Sequence, residues 1–316
     1  MHTASLLRAS TVALILTAAS AQDARGPAAE ARSGRPGPWD HDVIIYSVSR
    51  DGRIESVGKF GRSGVPTIAR LADGRLIAAH QHFPADLGAD FDKVAVHFST
   101  DEGREWTAPE VIKVTGLPDG MRFPFDPTLV PLPDGRVRLY FTGTIGRRLD
   151  EAPPAIHSAV SRDGVNYEFE PGVRFGVESR IVIDCAVVLH RGVFHLYSPD
   201  NGSAGGQRGG EREREGRGYH ATSADGLNFT RVADVQLEGR RHWLGNAQSD
   251  GHAITFYGTG EGLWTATSED GAAWKLTDAA AIRGGDPGAV ATKDGGLVVV
   301  ITGEPREQDR IQQLQR

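Results

Sequence analysis

The chain is almost without cysteine. Cys185 stands alone among 316 residues, so no internal disulfide forms and packing alone must hold the fold. A basic stripe is also missing, and the formal net charge is −6, which argues against nucleic acid as a partner. No long segment carries a 3.6-residue apolar period, so little helix is expected. The apolar run near the start, STVALILTAA, is too short to span a bilayer as a stable helix, and no membrane span is expected. With Arg8 ahead of it and Ala19-Ser20-Ala21 behind it, the run reads as a secretory leader over residues 1–21. That reading makes the mature chain secreted or periplasmic. Residues 22–40, rich in Ala, Gly, Pro and Arg, read as a disordered linker. Residues 307–316 read as a C-terminal tail, which leaves 41–306 for the folded domain.

What is present is repetition. There are 40 glycines, many in Asp-Gly pairs, which points to short strands joined by tight turns. The turn SRDGVNYEF at Ser161 returns as SADGLNF at Ser223 and SEDGAAW at Ser268, with the longer STDEGREW at Ser99. A second pattern is interleaved with it: a short apolar strand, a turn, and a second apolar strand ending in small or hydroxyl residues. Its copies start at Val65, Asp126, Asp184, Gly245 and Asp286, spaced by 61, 58, 61 and 41 residues. After each of the first four copies a third strand (KVAVHFS, AIHSAVS, GYHATS, LWTATS) runs into the Ser-x-Asp turn, and a fourth strand follows.

A four-stranded antiparallel unit at this spacing is a propeller blade. The fifth copy runs out of chain after its second strand. Residues 42–60, DVIIYSVSRDGRIESVGKF, supply a third strand, a turn and a fourth strand. The expected fold is therefore all-β, a five-bladed β-propeller closed by N-terminal strands that complete the last blade. Closure removes the open sheet edges of a linear array. In the Ser-x-Asp turns the carboxylate accepts backbone N–H groups and Gly permits positive φ, so Asp101, Asp163, Asp225 and Asp270 are read as structural.

These turns resemble the Asp-box of sialidase-like and related glycoside hydrolase propellers, over nearly all of residues 42–306. The segment GVPTIARLADGRLIAA is similar to the first blade of sialidases, with Gly64 where those carry an Arg. Five blades resemble the family-43 and family-32 glycoside hydrolases, which place acids at the entrance of the innermost strand in their first three blades. Phe125-Asp126-Pro127 and Asp184-Cys185 stand at the places of the family-32 Arg-Asp-Pro and Glu-Cys, while Val65-Pro66 stands where the first-blade acid would be. The resemblance implies a carbohydrate substrate and hydrolysis by paired carboxylates, with no cofactor.

Strand alternation puts the strand-one entrances and strand-two exits on one face, where propeller ligands bind. Catalytic candidates there are Asp126, Asp184 and Asp286, from equivalent positions, with Glu304 in reserve. Crowded acids raise one another's pKa, so one stays protonated as a general acid. Substrate-binding candidates are His80, His82, Arg122, His242, Trp243, Asn246 and Arg306. His80 and His82 are read first as hydrogen-bonding groups, with a transition metal as the alternative. Trp243 is read as a sugar-stacking or packing residue. Residues 203–218, Gly-rich and charged, are an insertion on the same face, read as a lid or an excursion without a role. The rival to a glycosidase is a non-catalytic glycan-binding propeller, favoured by Val65.

Overall fold

A computed structural model describes residues 27–32, 34, 37–145, 153–202, 216–277 and 279–306. The 1–21 leader, the 307–316 tail and most of the 203–218 insertion lie outside the described residues. Within the segment expected as linker, Pro27–Arg32 is a short helix and Pro38–Asp40 a 3-10 turn. Trp39 is buried there against Phe83 and Phe91, because an indole is too apolar to leave in water when two phenyl rings are at hand.

All the remaining regular structure among the described residues is strand, in five antiparallel-built sheets. Blade one is Ser63–Arg70, Leu76–His82, Lys93–Ser99 and a two-residue outer strand, Glu110–Val111. Blade two is Phe125–Pro131, Val137–Gly143, Ala155–Ser161 and Asn166–Phe175. The short strand Lys113–Thr115 adds to its outer edge in parallel. Blade three is Ala186–His190, Val193–Pro199, Arg217–Ser223 and Thr230–Arg231. Blade four is Arg241–Ser249, Ile254–Gly260, Leu263–Ser268 and Lys275–Thr277. In blade five the inner strands Gly285–Ala291 and Leu297–Thr302 are joined by the outer strands Val43–Val48 and Ile54–Phe60 from the other end of the chain. The register there is unbroken, from Val43 opposite Thr302 to Val48 opposite Leu297.

Alternate residues of each strand point to opposite sheet faces, and here both faces are apolar because each packs on a neighbouring blade. Leu139 and Phe141 meet Ile77 and Val94 between blades one and two. Tyr140 and Ile156 meet Val187 and Leu196 between two and three. Tyr197 meets Trp243 and Phe256 between three and four. Tyr257 and Leu263 meet Val299 and Ile301 between four and five. Val43 and Val298 meet Ile68 and Leu76 between five and one. The innermost strands touch in the same cyclic order, first to second, onward to fifth, and fifth back to first. At about 25 cal/mol per Å² of buried apolar surface, these five interfaces are what replaces disulfides.

Candidate active site

The innermost strands of blades one, two, four and five each begin with a register shift. In blades one, two and five the ladder slips between Gly64 and Thr67, between Phe125 and Thr128, and between Gly285 and Gly288. The residue inside each slip has left-handed backbone: Val65 at φ 49°, Asp126 at 51° and Asp286 at 51°. Asp184 takes the same conformation at φ 60° ahead of the first strand of blade three. Such a conformation costs a non-glycine residue about 1–3 kcal/mol. Asp tolerates it better than a β-branched residue does, so Val65 is the most strained of the four. In blade four the neighbouring position is Gly245, where a Cβ would lie 2.1 Å from the Tyr257 carbonyl oxygen. The residues inside the blade-four slip, between His242 and Gly245, are Trp243 and Leu244, and blade one has Val65, so acids stand at the entrances of three blades.

The three carboxyl groups act on one another. Asp184 is half-buried, and its pKa is held well above the ordinary carboxylate value, first by burial and then by the charges of Asp126 and Asp286. Asp126 is buried and pushed up to about 7; burial dominates, Asp286 and Asp92 add to it, and Thr142 and Arg122 oppose it. Asp286, half-buried, is pushed up to about 6 by burial, against the Thr302 hydroxyl and the charge of His41. Their protons belong to the trio rather than to single residues. Near neutral pH the cluster holds both protonated and ionised carboxyl groups, which is what acid–base chemistry requires.

Hydroxyl groups at the ends of the second strands brace these entrances. Thr142 Oγ1 accepts the Asp184 amide at 2.9 Å, Thr259 Oγ1 accepts the Asp286 amide at 2.9 Å, and Thr302 Oγ1 accepts the Val65 amide at 2.9 Å. Each of these bonds crosses from one blade to the next.

The rim around the acids is less free than the sequence suggests. Arg122 is exposed, pairs with Asp92 and lies over the Phe125 ring at 4.1 Å, so its charge is shared. Gln81 donates to the other oxygen of Asp92 at 2.9 Å. Arg306 donates to the His41 carbonyl at 3.0 Å and the Trp39 carbonyl at 3.1 Å, and pairs with Asp42 at 3.3 Å, fastening the N-terminal segment. His242 is half-buried opposite Thr259 in the blade-four ladder. Glu304 is exposed. His41, which is not among the residues expected from sequence, acts on Asp286 and bonds the Gly303 carbonyl through Nδ1 at 2.7 Å. A signal for it exists: the segment that completes blade five must enter beside that blade's inner strands.

Three expected ligand contacts are instead interior. Trp243 is fully buried, donates Nε1–H to the Gly216 carbonyl at 3.0 Å, and packs against Tyr197, Phe256 and Trp264. The core between blades three and four takes the indole, so no face is left for a sugar. Asn246 is buried, its Oδ1 accepting from Gln248 at 3.2 Å and from the Ala289 amide at 3.4 Å, a tie between blades four and five. His80 is buried two residues inside the end of its strand, with Phe60 stacked on it at 5.4 Å. Its Nδ1 bonds the Gln81 carbonyl at 2.9 Å and its Nε2 meets His97 Nε2 at 3.0 Å, so neither nitrogen remains for a metal or a ligand. His82 is half-buried and lines a cavity of about 350 Å³ with Lys59, Phe60, Arg104 and Trp106, between blades five and one rather than over the axis.

No family model matches the chain, and no curated protein matches it. Solved structures do. An N-acetylgalactosamine deacetylase from F. plautii in complex with blood group B trisaccharide superposes with a TM-score of 0.56 at 13% identity, over 83% of this chain and 85% of that one. An alpha-L-arabinanase from Penicillium chrysogenum complexed with arabinobiose gives 0.52 at 16% identity, over 84% and 87%. A protein of unknown function from Dyadobacter fermentans gives 0.51 at 14% identity, over 80% of each chain. At these identities the likeness is one of fold, the five-bladed propeller.

Proposed function

We propose that this protein is a carbohydrate-active enzyme, a glycosidase that cleaves a glycosidic bond with carboxyl groups at the axial mouth of the propeller. The observation that carries the reading is the trio Asp126, Asp184 and Asp286, set at strand entrances in three blades, close enough that the charges of Asp126 and Asp286 raise Asp184 and that of Asp286 raises Asp126. Two structures of similar fold, the deacetylase and the arabinanase, hold saccharides, and a rim of carboxyl, hydroxyl and imidazole groups suits sugar hydroxyls.

In this reading Asp184, held well above the ordinary carboxylate range, gives its proton to the glycosidic oxygen as the bond to the anomeric carbon breaks. Asp286, pushed up only to about 6 where Asp126 is pushed to about 7, is the ionised partner. It acts as base toward water or attacks the anomeric carbon itself, and the anomer first released distinguishes the two. Asp126 keeps the charge that holds the Asp184 proton in place and receives a substrate hydroxyl. The leader over residues 1–21 puts this work outside the cytoplasm, and an N-terminus at residue 22 in the mature protein tests that.

Incubation of the purified chain and of Asp184→Asn with a panel of arabinans, mannans and amino-sugar glycans tests the function. Sugar release by the native chain, reduced at least about 10³-fold in the variant, is the expected result. Undiminished release by the variant removes Asp184 from the mechanism. Val65 at the blade-one entrance favours a second reading, a glycan-binding propeller. Calorimetric binding of a glycan that is never consumed would establish it.

A further inference from the structure

The second strands of the blades carry a recurring residue at one ladder position. Thr142 stands opposite Phe125, Thr302 opposite Gly285 and Thr259 opposite His242, and Gln81 stands opposite Gly64. A hydroxyl has one proton to donate and two lone pairs to accept with. At Thr142, Thr259 and Thr302 one lone pair is committed to the amide of the next blade's entrance residue, each at 2.9 Å. Accepting from behind leaves the O–H to donate forward. Thr302 does so to Asp286 Oδ2 at 3.4 Å, and the Thr142 hydroxyl acts on the Asp126 carboxyl in the same sense, lowering its pKa against the effect of burial.

The consequence is mechanical. Thr142 of blade two holds the Asp184 backbone of blade three, where the left-handed conformation needs an anchor, with its hydroxyl proton left to face the Asp126 carboxyl. Thr302 ties Asp286 of blade five to Val65 of blade one. In blade one the equivalent Gln81 turns to Asp92 instead, so Asp126 lacks a hydroxyl clamp from the preceding blade and depends on Thr142.

We propose that Thr142 and Thr302 are positioning residues of the candidate active site, each hydroxyl clamping its own blade's carboxylate while holding the entrance backbone of the next blade. This rests on the glycosidase reading for its effect on catalysis, but the clamp itself does not. Neither threonine touches substrate; each acts through the carboxylates.

The test uses the full chain with ¹³C-labelled aspartate and the variants Thr142→Val, Thr142→Ser, Thr302→Val and Thr302→Ser. Loss of a hydrogen bond that favours the ionised form raises the carboxyl midpoint. Asp126 in Thr142→Val and Asp286 in Thr302→Val are expected to titrate about one unit higher, with the serine variants back within a few tenths of native. On a turned-over glycan, Thr142→Val is expected to lower kcat about 10- to 100-fold with KM little changed, to move the pH profile in step with the titration, and to be rescued by serine. Should Thr142→Val fail to fold, Thr302→Val carries the same measurement at Asp286. Native midpoints in folded valine variants overturn the clamp even if the chain is a glycosidase. If no glycan is consumed but the midpoints move and serine restores them, the glycosidase reading fails and the clamp stands.

Discussion

The propeller uses aspartate in two ways at opposite ends of the same blades. At the turns between third and fourth strands, Asp163 accepts from Ser161 Oγ at 2.9 Å, the Val165 and Asn166 amides at 2.8 and 2.7 Å, and Asn166 Nδ2 at 2.7 Å. Asp225 and Asp270 repeat the pattern with their own Ser and amide partners. Those bonds hold the Asp163 and Asp225 carboxyls well below the ordinary range and Asp270 at about 2. At the entrances, Asp126 and Asp286 have risen to about 7 and about 6, and Asp184 is likewise held well above the ordinary value. One residue type, given donors and water, becomes a staple; recessed among its own kind, it becomes an acid. Environment decides which, so the two groups should respond oppositely to removal.

The largest effect belongs to Asp184→Asn. It is expected to lower kcat at least about 10³-fold on any substrate the native chain cleaves, while raising the melting temperature at pH 8, where the native chain must bury like charges. Loss of activity together with loss of stability would make Asp184 a structural residue and erase the contrast. Next comes Asp286→Asn. A folded-state pKa of about 6 against 3.8 in the unfolded chain means stability that is full below about pH 4 and lost as pH rises through 6. The amide has no proton to lose, so it is expected to gain on the order of 2 kcal/mol over the native chain at pH 8 and nearly nothing at pH 4. Denaturant melts at both pH values measure this.

Asp163→Ala is expected to go the other way, by less. It leaves two amides and an Asn side chain without their acceptor in an exposed turn, costing about 1–2 kcal/mol at pH 7. The sign with pH is also reversed: a depressed carboxyl stabilises above about pH 4, and that contribution fades as pH falls through its folded value. The two groups together put the native stability maximum between about pH 4 and pH 6. Glycan turnover in this variant is expected to be unchanged.

Both kinds of aspartate are visible in the sequence because each repeats. Five copies of an apolar hairpin and a recurring Ser-x-Asp turn define blades, and position within a blade then assigns Asp126, Asp184 and Asp286 to one face. Side-chain direction is not visible there. Trp243 lies inside the register slip between His242 and Gly245, which decides the sheet face it takes, and His80 is closed in by Phe60, from a blade assembled across the two chain ends. A slip of one residue exchanges the two faces. His41 is legible only through the closure of blade five, because its neighbourhood is made by pairing the two chain ends. The threonine clamp is hidden because a strand-end Thr is ordinary until the next blade's amide is placed beside it.

Val65 is where position and environment can be separated. It shares the left-handed backbone of the three acids, at φ 49°, and its amide is held by Thr302 as the Asp184 amide is held by Thr142. Val65→Asp therefore adds a fourth carboxyl without asking the backbone to move, and Asp accepts this conformation more readily than a β-branched side chain. If the entrance itself makes an acid, the new group is expected to titrate above the ordinary value. It should also raise the Asp126 and Asp286 midpoints by about half a unit through like-charge repulsion. Stability is expected to change by under about 1 kcal/mol at pH 5, where relief of strain and added burial oppose each other, and to fall more at pH 8. Carboxyl titration by NMR reads the new group and its neighbours at once. An introduced carboxyl that titrates normally and leaves its neighbours alone would mean that the entrance position does not by itself deliver a side chain to the mouth, and that the coupling among the native three comes from their individual loops.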